Sequence, residues 1–216
     1  MNDVGHGTLF IEPTEDRVKP IERGEVLGLA DYEEVRERFR ARIIAEKKRR
    51  RVQLGGSASA VFENRDTVLL QIQEMLRTER ITRPAAVGHE IATYNELVPG
   101  KDELSCTLMI EIPDKGEREA FLQAAVGLER HVWLLAGSAR IAARPIERDV
   151  GPGDRTTAVH YLKFALPPQL AGALRGAAEG TATMTHLAMA IDHPAYDVQA
   201  DLPAQTTLSL CEDLRE

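Results

Sequence analysis

The sequence is short of cysteine. Cys106 and Cys211 are the only two in 216 residues, and they lie far apart. Two isolated thiols build no disulfide framework, so a reducing cytoplasm is the expected compartment. Long apolar runs are missing as well. Nothing approaches the roughly 18 residues that a membrane span requires, and the polar, acidic residues 1–25 lack the apolar stretch of a signal peptide. An excess of positive charge is absent: the net charge is −7, which disfavours non-specific nucleic-acid binding by the surface as a whole. There is no HExxH, CxxC, EF-hand loop, P-loop, GxGxxG or GxSxG. The zinc, calcium, nucleotide and serine-hydrolase devices built on those patterns are therefore not expected. Internal repeats and low-complexity tracts are not evident either.

What is there is ordinary for a globular protein: 43% hydrophobic and 28% charged residues. Residues 1–17 mix glycine, proline and charge without periodicity and read as a flexible extension. Asp31 opens a predicted helix to about residue 48, with Tyr32, Val35, Phe39 and Ile43 as its apolar stripe. A hairpin follows, with residues 51–54 and 58–63 alternating around Gly55-Gly56. Asn64 caps a second helix ending near Arg80, and Pro84 starts a third. Beyond Pro99-Gly100 strands are predicted over residues 106–112, 131–135, 139–143, 156–166 and 181–192. Helices are expected over residues 114–130 and 169–175. The expected class is α+β. Residues 18–99 form a helical region with a hairpin, and residues 100–216 form an antiparallel sheet with helices on one face, in ferredoxin-like order. The linker is short, so the two regions are expected to pack as one unit.

The most informative stretch is the charged helix, residues 63–80. On a helical wheel Val68, Leu69, Ile72, Met75 and Leu76 share one face, and Arg65 and Glu79 fall on that face too. At the helical rise they stand roughly 21 Å apart, so each needs a partner from elsewhere. Two readings follow. The first is structural, with charges at helix ends reaching solvent or an ion pair. The second is a polar pocket lined by Glu63, Arg65, Gln71, Glu74, Arg77 and Glu79, with His160 opposite, as in a small-molecule enzyme. His160 and His186 both sit in predicted strands that could be neighbours, where a carboxylate such as Glu63 or Glu74 would complete a metal site. Against it stands the commoner case of two histidines with unrelated partners. The chain's cofactor, if any, is not legible at this level. Residues 36–51 carry nine basic and two acidic side chains. Phosphate binding there is less expected than a solvated helix end paired with the acidic remainder.

Several stretches resemble one bacterial family, named domain of unknown function 3501. They are Asp31-Tyr32-Glu33-Glu34-Val35-Arg36, Lys47 to Val52, Phe62-Glu63-Asn64-Arg65-Asp66-Thr67 and Gln71-Ile72-Gln73-Glu74-Met75-Leu76-Arg77. Tyr94-Asn95, Ala158-Val159-His160-Tyr161-Leu162 and Asp192-His193-Pro194 join them. The resemblance runs from about Val18 onward. It brings no activity with it. It implies an association with rubrerythrin-like and iron–sulfur redox proteins, hence an accessory role bound to a redox partner protein. Lys163 stands where the resemblance leads one to expect an arginine, which weakens any bidentate anion clamp there.

Overall fold

The computed structural model describes residues 18–147 and 153–215; the extension expected over residues 1–17 lies outside them. The class is α+β. Helix α1 (Leu29–Arg49) leads into the hairpin β1 (Arg51–Leu54) and β2 (Ala58–Glu63). Helices α2 (Arg65–Thr78) and α3 (Pro84–Asn95) come next, then β3 (Glu103–Ile110) and α4 (Lys115–Ala124). Strands β4 (Val132–Ala136), β5 (Ala139–Ala142), β6 (Arg144–Pro145) and β7 (Val159–Ala165) follow. Helix α5 (Pro168–Ala178), strands β8 (Leu187–His193) and β9 (Tyr196–Asp201), and helix α6 (Ala204–Asp213) complete the described chain.

Local chemistry accounts for the first half. Asn64 accepts from the amide of Thr67 while the Thr67 side chain accepts from the Asn64 amide, a reciprocal cap that starts α2. Pro84 occupies the first turn of α3. The stripe Tyr32, Val35, Phe39 and Ile43 is buried along α1, as its spacing predicts. Gly55 has a positive φ of 63°, and a Cβ there would stand 2.6 Å from the Tyr196 hydroxyl, so both backbone and space require glycine.

The strands divide between two antiparallel sheets where the ferredoxin-like order has one. The first runs β1-β2-β3-β7-β6 and the second β5-β4-β8-β9. Strand β5 runs on through Ala143 into β6, passing from one sheet to the other, and at the opposite side β1 lies against β9. The sheets enclose one core: Phe62, Cys106, Leu108, Leu162 and Phe164 from the first, Leu134, Met189 and Ile191 from the second. Each such side chain stabilises by about 1.5–3 kcal/mol when fully buried. A second core joins α1, α2 and α3. The hairpin and β3 pair across Pro99-Gly100, so residues on both sides of that point build one sheet.

Four further differences have physical reasons. The strand expected over residues 181–192 begins only at Leu187, because residues 181–186 alternate without a pairing partner. The helix expected to reach Arg130 stops at Ala124, and a short 3-10 turn at Leu128–Arg130 follows the left-handed Gly127. Strand β9 pairs with β8 beyond Pro194, and α6 closes the described chain; neither has a counterpart among the predicted elements.

Candidate functional site

Glu74, Arg77 and Arg65 of the charged helix are each paired within the fold. Glu74 accepts two hydrogen bonds from Arg36, both 2.8 Å, and one of 2.7 Å from the Tyr32 hydroxyl. These bonds, Arg36's first, hold the Glu74 carboxyl below the usual carboxylate range. Arg77 pairs with Glu33, one turn earlier on α1. Arg65 is buried at 3% exposure and faces the segment that precedes α1. It donates 2.8 Å to the Lys19 carbonyl and 2.6 Å to each oxygen of Glu25. Burial opposes ionisation of Glu25, yet the bond and charge of Arg65 outweigh it and hold that carboxyl low. Glu79 is the exposed residue that ends α2, and Gln71 is half-buried.

Two amides complete the hold on the leading segment. Gln73 accepts from the Leu27 amide at 2.7 Å and donates to its carbonyl at 3.3 Å. Asn95 does the same for Ile21, at 2.8 and 2.9 Å. Arg65, Gln73 and Asn95 therefore read main chain. Neither amide stood among the expected site residues, and the only signal was an amide on a helix face otherwise built to pack.

The expected pocket does not assemble. His160 alternates with Tyr161 and Lys163 on β7 and points into the core between the sheets, away from α2. There its ring lies 3.4 Å from Thr156 Oγ1 and 3.9 Å from Glu129 Oε2. Burial pushes its pKa down, against the opposing pull of Glu129. The metal site expected from His160, His186 and Glu74 fails on topology. His186 leads into β8 of the second sheet, is exposed, and lies 3.4 Å from Asp201. Among the described residues no group of three metal-binding side chains gathers. Lys163 is engaged as well, donating 2.7 Å to Glu103 and 3.0 Å to the Val98 carbonyl.

Much of the basic run is paired, as its acidic surroundings imply. Arg42 meets Asp66, Lys47 meets Glu63 and Arg51 meets Glu111. Arg50 departs from the expected solvated end: it is fully buried, bonded to Asp213, to Ser209 at 2.7 Å and to the Phe62 carbonyl at 2.9 Å. Both thiols are buried; burial pushes Cys211 up to about 11 and Cys106 higher still.

One polar constellation remains at the surface. The second sheet turns its outer face to water, and its burial alternates strand by strand. On that face stands Trp133, the single tryptophan, with the Arg140 guanidinium 4.1 Å from its ring centroid. Asp192 ties the group together, accepting 2.9 Å from the Trp133 indole N–H, a bond from Arg140 and a 3.2 Å contact from His131 Nδ1. The Trp133 bond, then Arg140 and His131, hold the Asp192 carboxyl low. His193 packs edge-on against His131 at 5.0 Å. It accepts the Ala195 amide on Nδ1 at 3.1 Å and faces the Val126 carbonyl with Nε2 at 3.2 Å. Asp197 and Asp201 flank the cluster on β9.

Among the described residues no helix is long and apolar enough to cross a membrane. No curated protein matches the sequence. A solved structure does: a novel protein of unknown function from Burkholderia pseudomallei, 33% identical, with a TM-score of 0.81, covering 91% of this chain and 100% of that one. The family described as "Protein of unknown function (DUF3501)" matches residues 20–214. The strands, the helices and Arg65 itself fall within that match, and the chain belongs to this family.

Proposed function

We propose that the protein is an accessory binding protein, and that it docks a partner protein through the outer face of its second sheet. The observation that carries this reading is the Trp133–Arg140 stack, held in place by Asp192 on a face open to water. Tryptophan and arginine carry a disproportionate share of binding energy at protein interfaces, above all when held in a fixed geometry. Leu135 adds half-exposed apolar area beside them. Asp192, Asp197 and Asp201 outnumber the single Arg140 among the fixed charges of this patch, so the partner it suits presents a basic rim around an apolar centre.

The resemblance adds that the partner is redox-linked, either rubrerythrin-like or an iron–sulfur protein. The thiols of this chain support placing the redox group on that partner, because both are buried and held protonated. Trp133 is also the reporter. Titration with a purified rubrerythrin-like protein and with an iron–sulfur protein of the same cell should change its emission saturably. The change should weaken with salt and vanish in Asp197→Lys/Asp201→Lys. A flat titration with both proteins would sink the reading.

A further inference from the structure

The outer face of the second sheet has a counterpart elsewhere on the same chain. Register sets Trp133, Ala190 and Gln199 in one row across β4, β8 and β9. Leu135, Ala188 and Asp201 form the next row, and Asp192 and Asp197 the row before. Apolar side chains therefore hold the middle of the face, and carboxylates hold its β9 side. Asp197 and Asp201 stand four residues apart on one strand, about 13 Å.

Helix α1 carries the matching pattern. Its buried stripe faces the core of the three helices, and Arg38, Ala41, Ala45 and Lys48 are exposed on the opposite side, at steps of three and four residues. Arg38 and Lys48 stand ten residues apart, about 15 Å at the helical rise. Among the described residues neither enters an ion pair. Ala41 and Ala45 keep the stripe shallow between the two cations, so large side chains of a partner can reach the helix surface there. The cations of α1 and the carboxylates of β9 therefore match in sign and in spacing.

We infer that a second copy of this chain docks its α1 on the outer face of the second sheet. Arg38 lies against Asp201 and Lys48 against Asp197, with Ala41 and Ala45 over Ala188 and Ala190. In this direction Glu34 and Glu37, which precede Arg38, fall beyond Asp201 on the side of its neighbour His186. Within one molecule the two surfaces lie on opposite sides. Helix α1 covers the outer side of the first sheet, where Lys47 meets Glu63, and the second sheet closes the core from the other side. Two copies cannot satisfy each other's faces at once, so the contact propagates head to tail. The patch is small and charged, which makes the association weak and salt-sensitive. The inference rests on the reading of this face as a docking face, and the redox partner and the second copy compete for it.

Sedimentation equilibrium of the full chain is the test. In low salt the weight-average mass should rise with concentration from 23.9 kDa past twice that value by about 1 mM. It should return to that of one chain in about 0.5 M salt. Arg38→Glu/Lys48→Glu and Asp197→Lys/Asp201→Lys should each stay at one chain. Mixed in equal amounts they should associate again, because each face then finds one of opposite sign. A wild-type mass that stays at one chain or stops at two overturns the inference, as does a mixture that stays monomeric. If the wild type stays monomeric while Trp133 still answers the redox protein, this inference falls and the docking face stands. Silence in both experiments removes both.

Discussion

Glu74 shows what charge on a helix means in this protein. Its carboxylate is the hub of three hydrogen bonds from α1. Glu74→Gln should lower the unfolding free energy by about 1–2 kcal/mol, read from the midpoint of urea denaturation. The pH dependence has a definite sign. The folded pKa of Glu74 lies below its unfolded value of about 4.3, so its stabilisation is complete above that pH. The contribution is lost as pH falls through the folded pKa, and Glu25 acts in the same direction. In Glu74→Gln the midpoint should vary less with pH across that acid window. The helical wheel located the odd charge at Arg65, since a buried guanidinium on an apolar stripe is what the fold contains. Glu79 caps α2 and is exposed, the end-of-helix case of the structural reading. The partners of Arg65 were illegible, as main-chain carbonyls carry no residue signature.

Among the elements, α1 and α6 are joined by one buried charge pair. Arg50 ends α1 and bonds Asp213 in the last turn of α6, with Ser209 filling another donor of the guanidinium. Removing Asp213 takes the close buried carboxylate from Arg50 and leaves it Glu46 at the longer 3.4 Å. Asp213→Leu should therefore cost about 3–5 kcal/mol in thermal unfolding, and Arg50→Met/Asp213→Leu should recover most of it. A double variant as unstable as the single one would show that packing around α6, and not the charge, is what Asp213 secures. The hairpin, α2 and α3 were legible from turn and cap chemistry, which acts within a few residues. Helix α6 was not. Thr206, Thr207 and Ser209 are buried on it, so polar letters interrupt the apolar period that marks a helix. Strand β9 hid for a related reason: its inward residues Tyr196, Val198 and Ala200 stay partly exposed, and its other face is acid and amide.

The whole molecule depends on contacts between distant parts of the chain. Alternation marks a strand and one buried face, but it carries no label for the neighbour, so the division into two sheets was beyond a single sequence. Tyr196 marks one seam between the sheets. Its hydroxyl donates to the Leu54 carbonyl and accepts from the Ser57 amide at 3.2 Å, clasping the β1–β2 turn to β9. Tyr196→Phe removes both bonds while keeping the ring. Hydrogen exchange at the Ser57 amide should quicken about tenfold or more, with exchange in α3 unchanged. Equal rates in the two proteins would mean that apolar packing alone holds the seam. The Arg50–Asp213 pair carries the same long reach into biosynthesis. The two residues are 163 positions apart. At roughly 5–20 residues per second, Arg50 waits about 8–33 s on the ribosome before Asp213 exists. Throughout that interval Glu46, four residues earlier on α1 and 3.4 Å away in the folded protein, is the carboxylate that can pair the guanidinium. That end of the helix gains its second carboxylate and its Ser209 bond only once α6 has been made.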